Sequence, residues 1–324
     1  MYYWLIPLCI VGGLTILTLL TSAVCFFKVF YAFRQKRREE YPIPPGKEYE
    51  PYREQMIQWI KQTRAMLHTV HYITSYDGKR LRAKFFEYEK GAPIEILFHG
   101  YKGEAERDLS GGVSRCHSLG HSALIVDQRA AGGSEGRVIT FGAKESRDCI
   151  SWVDYTIKSI DSNAKIILTG ISMGASTVMM ASAETLPENV IGVLADCGYT
   201  STGAIIKKVI KDMGLPPKLL YPFVRLGALL FGGFDPDGNS PLSAMKKCSL
   251  PVIFFHGEAD GFVPADMSRE NYEACASAKK RLVLIKGADH GLAFPKDQEL
   301  YLGELREFFP AEERAHLQSD CILQ

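Results

Sequence analysis

A chain of 324 residues with 46% apolar and 23% charged side chains can bury a large core, which excludes a disordered polymer or a disulfide-stapled miniature fold. The formal net charge is +1, so nothing in the balance points to nucleic acid as a partner. The charge is informative only in where it sits.

From Tyr2 to Phe27 the chain carries no charged side chain. About 20 apolar residues of helix cross a bilayer core, so this run is long enough to span it with some tilt. Tyr2, Tyr3 and Trp4 before it, and Tyr31 and Phe33 after it, fit interfacial aromatic anchors. Nothing basic precedes the run, unlike a secretory signal, and it has no polar face, unlike most core helices. Residues 1–33 are therefore expected to form one transmembrane anchor, with the lipid bilayer as partner. Lys28, Arg34, Lys36, Arg37 and Arg38 all follow the span, so the positive-inside rule puts the remainder on the cytoplasmic side. Cysteine usage agrees, since Cys116, Cys149, Cys197, Cys248, Cys275 and Cys321 show neither metal nor framework spacing. No Asn-x-Ser/Thr sequon is present.

Residues 34–50, charged and then proline-rich, read as a stiff juxtamembrane linker. One large folded domain is expected over 51–312, followed by a tail at 313–324. Met56, Trp59, Ile60, Met66 and Leu67 recur at helical spacing over 51–67. Alternating segments at 71–76 and 80–88 flank Asp77-Gly78, a hairpin signal. Continuous apolar runs then follow at Pro93–Phe98, Ser122–Val126, Lys165–Thr169, Val190–Ala195, Pro251–Phe255 and Arg281–Ile285. Such runs suit strands buried on both faces, and their alternation with helical stretches predicts an α/β fold with a mostly parallel sheet. Function in such sheets gathers beyond the strand carboxyl ends.

Beyond Lys165–Thr169 stands Gly170-Ile171-Ser172-Met173-Gly174, a G-x-S-x-G pentapeptide, with a helical run at 175–185 after it. The motif forces a serine into a sharp strand-to-helix turn, and the flanking glycines remove the steric conflict. A serine nucleophile needs a base, and the base needs an orienting acid. The loop after Pro251–Phe255 offers Glu258 and Asp260, and the loop after Arg281–Ile285 offers Asp289 and His290. Asp260 is preferred as the acid because it lies further from its strand end, beside Gly261. His290 is preferred over His256, which abuts its strand and reads as a structural histidine. His68, His71, His117, His121 and His316 follow no suitable strand end. The oxyanion hole is expected from the backbone N–H groups of Met173, next after the nucleophile, and Tyr101, in the His99–Gly103 loop.

These residues carry a resemblance. HGYKG (99–103), DQRAAGGSEG (127–136), GISMGAST (170–177), ADCGYTS (195–201), HGEADGFVP (256–264) and GADHG (287–291) resemble the α/β-hydrolase superfamily over about residues 68–310. More narrowly, the chain is similar to bacterial membrane-anchored hydrolases with one N-terminal helix. The resemblance implies a Ser172–Asp260–His290 triad with Tyr101 and Met173 as oxyanion donors. It departs from the superfamily at Ala130, where the motif usually has glycine.

An insertion at about 199–247 contains the apolar stretch 215–234 and is expected to be a helical lid that lines an acyl pocket or touches the membrane surface. The terminal Cys-Ile-Leu-Gln matches a prenylation signal, a cheap match in a chain with its own anchor. No metal or nucleotide motif appears, so no cofactor is expected. The expected activity is hydrolysis of a carboxylic ester or thioester, with an acyl or lipid-like small molecule as substrate. A serine peptidase or amidase, and a catalytically silent membrane-tethered binding protein, are the alternatives.

Overall fold

The computed structural model describes residues 5–33 and 39–310. Tyr2, Tyr3, Trp4, Arg34, Lys36, Arg37, Arg38, His316 and the 313–324 tail with its terminal Cys-Ile-Leu-Gln lie outside the described residues. Helix α1 (Leu5–Val29) is followed by a short 3-10 turn (Lys47–Tyr52) and α2 (Arg53–Ala65). The hairpin strands β1 (Thr69–Thr74) and β2 (Arg80–Phe86) come next. Then strands and helices alternate: β3 (Ile94–Phe98), α3 (Ala105–Ser118), β4 (Ser122–Asp127), α4 (Glu145–Tyr155), β5 (Ile166–Ile171), α5 (Met173–Ala181) and β6 (Val190–Asp196). The insertion holds α6 (Thr202–Asp212), α7 (Pro217–Gly227) and α8 (Pro241–Met245). The chain returns through β7 (Val252–Gly257), α9 (Ala265–Ala274), β8 (Lys280–Ile285), α10 (Ala293–Lys296) and α11 (Gln298–Phe308).

The strands form one eight-stranded sheet in the order β1-β2-β4-β3-β5-β6-β7-β8. β2 runs antiparallel to both β1 and β4, and every pairing from β4 to β8 is parallel. β3, β4 and β7 are buried at every position, as the continuous apolar runs predict. β2 alternates instead, which suits a strand covered on one face near the sheet edge. The Pro93 and Pro251 starts of the predicted runs fall outside their strands, since proline has no N–H for the ladder. The helix predicted at 175–185 begins at Met173 and ends at Ala181, with Ser182 as its cap donating to the Met179 carbonyl.

The period-two alternation of strands separates two packing layers. Ile94, Ile96, Phe98, Ile166 and Leu168 join Trp152, Val178 and Met179 in a core under α4 and α5. The opposite face, under α2, α3 and α11, carries Glu95, Leu97, Thr169, Ile171, Leu194 and Asp196, matched across β3, β5 and β6 by register.

The outward part of α1 is exposed, and Ile6–Val29 is long and apolar enough to cross a membrane. Its last turns are not free. Ser22, Phe26 and Phe30 are buried, and Phe30 meets Phe141 and Phe234 edge-on at 5.7 and 5.2 Å. Gly227 of α7 lies so close that an added Cβ would stand 2.4 Å from the Ser22 carbonyl oxygen. Tyr31 then bridges Val138 antiparallel, with Ala32 N–H donating to the Arg137 carbonyl at 2.7 Å. The insertion at 199–247 thus packs on α1, and Leu219, Leu229, Leu230 and Phe231 beside that contact remain exposed.

Candidate functional site

The carboxyl ends of β3, β5, β6, β7 and β8 converge on Ser172. This residue has φ 57° and ψ −117°, a left-handed backbone that a non-glycine residue adopts only under constraint. The constraint is visible in its neighbours. A Cβ on Gly170 would stand 2.1 Å from the Gly174 carbonyl oxygen, and one on Gly174 would stand 2.0 Å from the Phe98 carbonyl oxygen. Only glycine lets α5 start this close to β3 and β5. Gly174→Ala is accordingly expected to destabilise the fold by several kcal/mol, because backbone rather than a movable side chain occupies the space. Thermal unfolding of the variant checks this; an unchanged midpoint would refute the crowding.

Sequence placed Ser172, His290 and Asp260 on three separate loops, and the fold brings them together. Ser172 Oγ donates to His290 Nε2 at 2.9 Å, and His290 Nδ1 donates to Asp260 Oδ2 at 2.7 Å. Asp260 Oδ1 accepts the Phe262 and Val263 N–H groups at 2.9 and 2.7 Å. Burial alone would raise this carboxyl, but the contacts of His256 and His290 pull it down to about 2. The sign of its stability effect follows. A folded value near 2 against about 3.9 unfolded stabilises by roughly 2 kcal/mol, fully above pH ~4 and lost as pH falls through ~2. Asp148 and Asp196, raised by burial to about 6, work the other way, and their carboxylates cost stability as pH rises from ~4 to ~6. Denaturant melts between pH 2 and 4 should therefore show a steeper loss for wild type than for Asp260→Asn; parallel curves would refute it.

The rival residues make no hydrogen bond to Ser172 among the described residues, although His256 Nε2 lies 3.1 Å from Asp260 Oδ2. Glu258 is exposed. Asp289 braces the two loops, accepting from Gly261 N–H at 3.0 Å and His290 N–H at 2.7 Å. His256 is fully buried, donating from Nε2 to the Val263 carbonyl at 2.9 Å and accepting at Nδ1 from Ser268 at 2.6 Å. His71 bonds Tyr155, and His121 bonds Glu95. Cys197, Asp260 and His290 offer donor atoms within 4.8 Å of one another. They make a poor metal site, because burial keeps the Cys197 thiol protonated and His290 Nδ1 is committed to Asp260.

Gly100 stands against the serine, so close that an added Cβ would lie 3.5 Å from Ser172 Cβ. The loop is held from behind by His99, which donates from Nδ1 to the Gly100 carbonyl at 2.8 Å and accepts at Nε2 from Gln128 N–H at 3.1 Å. Tyr101 follows, and its hydroxyl donates to the Val29 carbonyl of α1 at 2.5 Å. Lys102 Nζ donates to the Lys28 carbonyl at 3.0 Å. The His99–Gly103 loop and the end of α1 are thus joined directly. Ala130, where the superfamily pattern has glycine, keeps the glycine-type backbone at φ 65°.

A cavity of about 340 Å³ opens from Ser172 and His290. It runs down the α3-facing side of the sheet, past Ile171 to Thr169, Leu97 and Leu194. Pro44, Pro45, Glu48, Tyr49, Met56 and Trp59 cover it. Part of the expected linker is therefore a wall of the site, and no residue of 199–247 lines it. Trp59 fixes this cover by stacking on Phe294 at 5.5 Å and by lying over Gly111 of α3, where a Cβ would meet its ring at 2.7 Å. Among the cavity's polar residues, Arg115, Asp196 and Tyr301 did not emerge from sequence, nor did Glu48, Arg107, Asp108, Ser110 and Thr169. The one available signal was Glu95, a carboxylate in the middle of the apolar run Pro93–Phe98.

No family model matches the chain. It is 26% identical over 239 residues to the uncharacterized protein Rv2307c of Mycobacterium tuberculosis, covering 73% of this chain and 77% of that one. To protein bem46 of Schizosaccharomyces pombe it is 25% identical over 252 residues, 77% of this chain and 74% of that one. The match to the uncharacterized protein YqkD of Bacillus subtilis, 26% over 191 residues, spans 62% of that protein. Among solved structures, the Pyrococcus furiosus esterase Pf2001 aligns with TM-score 0.62 at 22% identity, over 85% of this chain and 98% of its own. Est1E from Butyrivibrio proteoclasticus, solved with ferulic acid, aligns with TM-score 0.55 at 22% identity, over 74% and 97%. Sheet order, strand directions and these superpositions agree, and the chain has the α/β-hydrolase fold.

Proposed function

We propose that this chain is a membrane-anchored serine hydrolase that cleaves carboxylic esters or thioesters of acyl or lipid-like substrates. The observation that carries the reading is the unbroken hydrogen-bond chain from Ser172 through His290 to Asp260, at the mouth of a cavity. Ser172 Oγ attacks the ester carbonyl carbon while His290 Nε2 takes its proton. Asp260 holds the Nδ1–H tautomer and stabilises the imidazolium that forms. The carbonyl oxygen becomes an oxyanion that accepts from the N–H groups of Met173 and Tyr101. Collapse breaks the bond to the alcohol or thiol, which leaves with the proton from His290. Water, deprotonated by the same imidazole, then hydrolyses the acyl-enzyme and regenerates the serine.

The esterase likeness of Pf2001 and Est1E supports the ester class. Membrane anchorage is supported by the length and apolarity of α1, and the burial of Phe26 and Phe30 against the domain favours a retained helix over a detachable leader. The exposed Leu219, Leu229, Leu230 and Phe231 extend the apolar surface of α1 and fit a lipid surface. The basic residues after the span favour a cytoplasmic domain. The detergent-solubilised full chain is expected to hydrolyse chromogenic acyl esters and thioesters, and to leave the matching anilides essentially untouched. Turnover of anilides alone would move the assignment to amidase.

A further inference from the structure

Beneath the cavity lies a polar group of residues that the proposed hydrolysis does not use. Glu95, in the centre of β3, accepts from Arg115 Nη2 at 2.5 Å, from Thr169 Oγ1 at 2.8 Å and from His121 Nδ1 at 2.8 Å. All four residues are buried. Burial would raise the Glu95 carboxyl, yet Arg115 and His121 hold it well below the usual carboxylate range. The Glu95–Arg115 ion pair is therefore formed and internally neutral. Buried pairs of this kind are often replaceable by apolar residues without loss of stability, so their presence asks for another reason.

The cavity supplies one. Arg115 and Asp196 both line it, 3% and 5% exposed. Arg115 Nη1 and Asp196 Oδ1 have no hydrogen-bond partner among the described residues. The remaining Asp196 oxygen accepts from Tyr301 at 3.0 Å, so Oδ1 is left as the open acceptor. A buried donor and a buried acceptor left unpaired forfeit the hydrogen bonds they made to water, and a ligand group reaching both would restore them. Leu97, Leu109, Ile171, Leu194 and Phe294 make much of the remaining wall apolar, with Glu48, Arg107, Asp108 and Ser110 as further polar lining. The cavity that opens from Ser172 thus also holds an unpaired donor and an unpaired acceptor.

Resting on the esterase reading above, we propose that this cavity contains a subsite for an uncharged hydroxyl carried by the substrate, its oxygen accepting from Arg115 Nη1 and its hydrogen donated to Asp196 Oδ1. A carboxylate fits less well, since Glu95 already neutralises Arg115 and Asp196 would repel it. The hydroxyl sits on the acyl chain or on the alcohol portion, whichever enters the cavity, and the two are separable by experiment.

The test is a substrate series on the detergent-solubilised full chain. Plain acyl esters from butanoate to decanoate are compared with their ω-hydroxy and ω-carboxy analogues, and simple alkyl esters with their ω-hydroxyalkyl counterparts. At a matching chain length the hydroxylated ester is expected to exceed its plain analogue at least about tenfold in kcat/KM, in the acyl or the alcohol arm according to which portion fills the cavity. Asp196→Ala and Arg115→Lys, the latter keeping a cation for Glu95, are expected to bring that ratio close to one, each variant being checked for folding by thermal melting. The wild-type series decides the matter even if a variant does not fold. Equal turnover of plain and hydroxylated esters at every length overturns the subsite while leaving the esterase reading intact. Preference for the carboxylates overturns the uncharged assignment. Turnover of no ester sinks both.

Discussion

Ser172→Ala is expected to reduce ester turnover by about 10⁴-fold or more while moving the melting midpoint by no more than a few degrees. The replacement removes the proposed attacking atom, and Ser172 is 7% exposed at a cavity mouth, so little packing is lost. His290→Ala should cost nearly as much. The double variant Ser172→Ala/His290→Ala should be no worse than either single variant, because the residues act as one unit. Asp260→Asn should leave the loops in place through the Phe262 and Val263 N–H bonds but cost roughly 10⁴-fold through the wrong histidine tautomer. Steady-state kinetics on the four variants checks this; additive losses would mean that the hydrogen-bond chain is not a functional chain.

The second large effect concerns the end of α1. Phe30→Ala is expected to destabilise the domain by about 3–5 kcal/mol, equivalent to a fall of roughly 10 °C in midpoint, although residue 30 stands at the end of a long apolar N-terminal helix. Phe30 is fully buried between Phe141 and Phe234, and the chain just after it pairs with the 137–139 segment. Leu17→Ala, at a 61% exposed position further up α1, should change the midpoint hardly at all. Because Tyr101 donates to the Val29 carbonyl, Phe30→Ala should also lower kcat more than it raises KM. Thermal melts and kinetics in one detergent measure both. Equal behaviour of the two variants would show that α1 is a tether with no part in the domain.

The parts of this architecture legible in sequence are those whose physics is local. Strands buried on both faces must be continuously apolar, so β3 to β7 were readable as runs. A nucleophile on a tight turn must have small neighbours, so Gly170 and Gly174 marked Ser172. The partner loops were readable because a parallel sheet sends its loops to one edge. What was not legible depends on contacts between distant segments. The 44–59 cover reads as linker plus surface helix, and only Trp59 against Gly111 and Phe294 makes it a wall. Glu95, Arg115, His121 and Thr169 are scattered along the chain, and none of them stands out alone. The insertion 199–247 is apolar enough to line a pocket, and its apolar face instead meets α1, a contact that no periodicity specifies.

Reactivity of the Ser172 hydroxyl is the most direct readout of the proposed triad. Full-length protein in detergent is treated with a fluorophosphonate, digested, and the modified peptide identified by mass spectrometry. A single adduct on Ser172 is expected, abolished by His290→Ala because the hydroxyl then has no base. A folded wild-type protein that stays unmodified, or an adduct on any other serine, would contradict the assignment.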